Sequence, residues 1–62
     1  MQAMSTIRKD FVATHLRMQL HRLNNILNNI EDVEKADSEY AYESLKDIET
    51  NLRQIRKLCL DN

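Results

Sequence analysis

The chain has 62 residues, with nine Lys and Arg against ten Asp and Glu for a formal net charge of −1, an apolar fraction of 42%, and no glycine, proline or tryptophan. That length holds one small domain, and the balanced charge gives no global pull toward nucleic acid or an anionic membrane. Without glycine, β-hairpin turns, phosphate-cradling loops and dinucleotide-binding turns lose the residue they lean on, which leaves an all-helical chain as the expectation.

The first periodic segment carries Val12, Leu16, Leu20, Leu23, Leu27 and Ile30 at three- and four-residue steps, running on to Val33. At about 100° per residue these side chains form one stripe, and the spacing predicts a helix over about residues 5–34. Nearer its start the apolar pattern changes face. Lys9 takes the seam direction, while Met4, Ile7, Phe11 and Met18 line up on a second stripe that holds the single Phe and two of the three Met. Flexible, polarizable Met suits a surface that must fit a partner, so these four are the candidate partner-binding residues. Fraying of residues 1–10 is the plainer alternative for the same pattern.

Glu34-Lys35-Ala36-Asp37-Ser38 has no strong apolar side chain. Asp37 and Ser38 are good N-cap residues, because a side-chain oxygen there can accept from the free N–H groups of a first helical turn. The turn is expected at about residues 35–38. A turn near Asn28 and Asn29, or one unbroken helix, are the alternatives. Ala41, Leu45, Ile48, Leu52, Ile55 and Cys59 then step 4, 3, 4, 3, 4, a heptad seam that predicts a second helix over about residues 39–60. On that helix Glu49 and Arg53 have the favourable order for an i,i+4 pair. Tyr42 flanks the seam, and Tyr40 is a candidate contact residue or a partly exposed cap.

Folded back, the two seams make an antiparallel, coiled-coil-like two-helix hairpin, a single domain of residues 1–62, with residues 1–11 extending past the second helix. Charge is segregated along it. Residues 1–30 carry +3 (Arg8, Lys9, Arg17 and Arg22 against Asp10), residues 31–50 carry −6, and residues 51–62 return to +2. An acidic middle between basic arms suits a chain that folds back on itself or pairs antiparallel with a copy. A lone hairpin of this size buries too little apolar surface to stand well alone, so completion by a helical protein partner or by self-association is expected.

The residues offer little for catalysis or metal binding. His15 and His21 are six apart and project about 120° from each other, whereas a helical zinc pair needs i,i+4 spacing. Glu39, Glu43 and Asp47 have that spacing but no Glu-x-x-His beside them, and the acidic run lacks the glycine of a calcium loop. Cys59 is the one cysteine, which excludes an intrachain disulfide and a cysteine zinc cluster and places an inert thiol in the seam. The expectation is therefore a protein without enzymatic activity, cofactor, metal or small-molecule substrate. No apolar run approaches the roughly 18 residues of a membrane span. Residues 1–6 lack the apolar stretch of a signal peptide, so a cytoplasmic location is expected. Arg8, Arg17 and Arg22 spread around the first helix beside Asn24, Asn25, Asn28 and Asn29, which ranks nucleic acid behind protein as a partner.

Leu16-Arg17-Met18-Gln19-Leu20, and Asp37-Ser38-Glu39-Tyr40-Ala41-Tyr42 leading into Ile48-Glu49-Thr50-Asn51-Leu52, resemble the small helical-hairpin co-chaperones of type III secretion needle subunits over residues 14–58. The turn departs from that family, whose members often carry glycine or proline there. The resemblance implies a cytoplasmic protein that pairs with a larger helical chaperone and keeps an aggregation-prone needle subunit soluble. Glu43-Ser44-Leu45 with Asp47 is also similar to the second helix of the repressor of primer family, hairpins that dimerise into a four-helix bundle and bind paired RNA loops. The seam after Leu45 runs 3, 4, 3, 4 here where that family runs 4, 3, 4, which ranks this resemblance second.

Overall fold

A computed structural model describes residues 4–60 as two helices, α1 (Thr6–Glu31) and α2 (Ser38–Leu60), folded into an antiparallel hairpin. Asp61 of the basic C-terminal segment, and residues 1–3 of the segment read for a targeting signal, lie outside the described residues. The first helix starts where Ser5, with extended backbone, accepts the Arg8 amide on its hydroxyl oxygen at 3.2 Å. That bond satisfies one of the four amides that open every helix.

The turn is built from side chains, with no backbone torsion that would call for glycine: no described residue has a positive φ. The first helix ends at Glu31, three residues before the expected position, because Asp32 turns the chain. Its Oδ1 accepts from the Glu34 amide at 3.1 Å, and its carbonyl accepts from Lys35 and Ala36 at 3.0 and 2.8 Å. Asp37 then caps α2, its Oδ1 accepting from the amides of Glu39 and Tyr40 at 3.0 and 3.1 Å. Asn29, in the last turn of α1, spans the bend. Its Nδ2 donates to the Lys35 carbonyl at 3.1 Å, and its Oδ1 accepts from the Asp37 amide at 3.0 Å.

Asn29 also lies on the face of α1 that meets α2. With Asn29 turned toward the bend, the row that follows it back along the helix is Ile26, Arg22, Gln19, His15, Val12 and Arg8, and all of these are buried or half-buried. On α2 the facing row is Ala41, Ser44, Ile48, Asn51, Ile55 and Leu58. Both rows keep heptad spacing. They meet in antiparallel layers: Gln19 lies beside Asn51, Arg22 beside Asp47, and His15 beside Ile55 and Leu58.

The seam expected from the apolar spacing is thereby corrected. Val12, Ala41, Ile48 and Ile55 do face the partner helix. Leu16, Leu20, Leu23, Leu27 and Ile30 are exposed, each one residue beyond the row that packs, a rotation of about 100°. Leu45, Leu52 and Cys59 stand in the same relation to Ser44, Asn51 and Leu58, and are exposed as well. The apolar core reduces to Val12, Ile26, Ile48 and Ile55, with Gln19 the one buried polar side chain among the described residues. The Gln19 carbonyl oxygen accepts from Asn51 Nδ2 at 3.4 Å and from Arg22 Nη1 at 3.5 Å, and no fully buried side-chain polar atom among the described residues lacks a partner.

Candidate interaction surface

In an antiparallel helix pair, the position that follows the inner row on one helix lies on the same flank as the corresponding position on the other. The displaced leucines of both helices therefore form one face. Leu16, Leu23 and Ile30 from α1 and Leu45, Leu52 and Cys59 from α2 edge the seam, with Leu20 and Leu27 extending the face outward. The seven Leu and Ile side chains are each 39–59% exposed. Scattered exposed leucines are ordinary, whereas a continuous row along one side of a short rod makes a candidate interaction surface.

The four residues of the N-terminal stripe, Met4, Ile7, Phe11 and Met18, are also exposed, and they lie toward the opposite flank. Phe11 leans on His15, ring centroids 4.3 Å apart at 50°, and with Gln54 and Leu58 the two rings line a shallow groove. The structure thus separates two apolar surfaces, a long leucine face and a smaller patch around Phe11 and Met18. Tyr40 and Tyr42 are both exposed at the start of α2.

Folding back also sorts the charge. Divided at the Gln19–Asn51 layer, the half of the rod containing the helix ends carries Arg8, Lys9, Arg17, Arg53, Arg56 and Lys57 against Asp10, a net of +5 among the described residues. The half containing the turn carries eight carboxylates against Arg22, Lys35 and Lys46, a net of −5. Few of these charges are paired. Arg22 reaches Asp47 at 3.7 Å with both side chains partly in solvent, which contributes little, while Glu49 and Arg53 do not close the pair their spacing suggests. Among the described residues no group of three His, Cys, Asp or Glu side chains gathers to hold a metal ion, and no helix is long and apolar enough to cross a membrane.

Apolar spacing alone did not reveal the roles of Gln19, Asn29 and Asn51. A second signal was present in the row Arg8, Val12, His15, Gln19, Arg22, Ile26 and Asn29, which keeps the same three- and four-residue steps but is mostly polar. Compared with protein-family models, curated proteins and solved structures, the chain matches none.

Proposed function

We propose that this chain is a non-enzymatic interaction module, a small adaptor or co-chaperone that works by pressing its leucine face against helices of a protein partner. The observation that carries this is the continuous exposure of Leu16, Leu20, Leu23, Leu27, Ile30, Leu45 and Leu52 along one side of the hairpin. Burial of such a face is favourable at about 25 cal/mol per Å2 of apolar area, and a face made of two parallel ridges of side chains is shaped to receive other helices. The resemblance to the type III secretion needle co-chaperones supports the same kind of work, a cytoplasmic hairpin that shields a helical, aggregation-prone client. The Phe11 and Met18 patch on the other flank would then offer a second contact.

The test is the size of the protein in an extract of cells that make it. The wild-type chain is expected in a complex larger than its own 7.4 kDa. Leu20→Asp with Leu27→Asp should release it, and Lys46→Glu should not. Wild-type protein migrating as a free monomer would overturn the proposal.

One groove favours a second reading, a hairpin dimer that binds structured RNA: Arg17 of the basic half lines it with Thr14 and Met18, and His21 and Arg22 line it from just beyond the Gln19–Asn51 layer. It requires retention of structured RNA that falls steeply with salt and is lost in Arg17→Ala with Arg22→Ala.

A further inference from the structure

We propose that the occupant of the leucine face is a second copy of this chain, docked with the two rods antiparallel so that the acidic turn end of each lies along the basic open end of the other. This rests on the interaction-module reading and names the partner. The first argument is charge. One half of the rod carries +5 and the other −5 among the described residues, so the molecule complements a reversed copy of itself. A two-fold axis lying in the plane of the face, across the middle of the rod, sets each +5 half against a −5 half. The other two-fold arrangement, with the axis along the rod, brings like ends together within a screening length of about 8–10 Å, where their repulsion opposes association.

The second argument is the face itself. Under the crosswise axis α1 packs against α1 of the other copy and α2 against α2. Leu20 then lies near the axis, Leu16 comes beside Leu23 and Leu27 of the other copy, and Leu45 comes beside Leu52. The five leucines nearest the middle of the face, with Leu27, thus meet others of their kind, giving an isologous four-helix bundle with up-and-down neighbours. The third argument is area. The rod measures 47 × 16 × 16 Å, so one long face offers roughly 750 Å2. Stable protein–protein interfaces use about 800 Å2 per partner.

Sedimentation equilibrium of the purified protein at increasing concentration reads the first part of the proposal. A dimer of the 7.4 kDa chain is expected, weakening at least about threefold as salt rises from about 50 to 500 mM. Leu20→Asp with Leu27→Asp should shift it to monomer. The arrangement is read with every Leu and Ile of the face unchanged, by spin labels on Ala36→Cys in a Cys59→Ser background. Ala36 is exposed at the tip of the turn. Antiparallel rods place the two labels about 40 Å apart, approaching the rod length, whereas rods with their turns together place them within about 20 Å. A short distance overturns the charge-directed arrangement. Purified protein that stays a helical monomer overturns the second copy as occupant. If the same protein enters a complex in extract, the interaction-module reading stands and its partner is another protein.

Discussion

Asn29 uses both ends of its amide to hold the bend, donating to the Lys35 carbonyl and accepting from the Asp37 amide across eight residues of chain. Asp37 in turn accepts two amides of the first turn of α2. Between them these two side chains do what glycine does in most tight helical connections, and they do it with every described φ negative. Asn29→Ala removes two hydrogen bonds at once and is expected to cost about 1–2 kcal/mol. Asp37→Ala removes the cap and should cost about 1 kcal/mol. Thermal unfolding followed by circular dichroism at one fixed protein concentration reads both. An Asn29→Ala protein as stable as the parent would mean that the amide does not hold the turn.

At the scale of the helix, Asn29 also belongs to the row of α1 that faces α2. Behind it Ile26, Arg22, Gln19, His15 and Val12 lie in the seam, and the leucine row is left one residue outside. The Gln19–Asn51 hydrogen bond in the middle of the seam then holds the layers in register. A polar pair at such a position costs stability in exchange for a defined alignment. Gln19→Leu with Asn51→Leu is therefore expected to raise stability by about 1–2 kcal/mol in urea unfolding while admitting other alignments. A fall in stability would show that the polar layer is itself a source of cohesion.

The same helix shows how far apolar spacing reaches. All-helical character, two helices, their antiparallel pairing and a turn capped by Asp37 were legible, because glycine is absent and both halves repeat at heptad steps. On α2 the expected and packed rows share Ala41, Ile48 and Ile55, since one apolar stripe there is broad enough to serve both directions. On α1 they share little beyond Val12. Two rows of heptad spacing lie side by side on α1, one of leucines and one mostly polar. Choosing between them requires the packed geometry of the two helices, which periodicity does not contain. The N-terminal stripe of Met4, Ile7, Phe11 and Met18 was legible as a surface distinct from the leucine row. The leucine row itself was legible as apolar, and its exposure was not.

For the molecule as a whole, the fold turns a nearly neutral sequence into a bipolar rod with one long apolar face. Charges that alternate as +3, −6 and +2 along the chain become two opposed halves once the chain folds back. Such a distribution acts on orientation and association rate more than on the fold. Reversing two charges at the open end, Arg53→Glu with Arg56→Glu, should weaken self-association about tenfold in low salt and leave helicity intact. Adding Glu39→Lys and Glu43→Lys at the turn end should restore it. Failure of the four-residue variant to recover would separate the apolar face from the charge that is taken to align it.

All of these consequences depend on one structural statement, that the polar row faces α2 and the leucine row faces outward. Intramolecular cross-linking reads it directly. In a Cys59→Ser background, cysteines are placed either at Gln19 and Asn51 or at Leu20 and Leu52, and each protein is oxidised in dilute solution. Disulfides close only where the two Cα atoms come within about 7 Å. Rapid intrachain closure is expected for the first pair, which occupies one layer of the seam, and not for the second. Closure at Leu20 and Leu52 with the Gln19 and Asn51 pair left open would place the leucines inside the hairpin and remove the exposed apolar face.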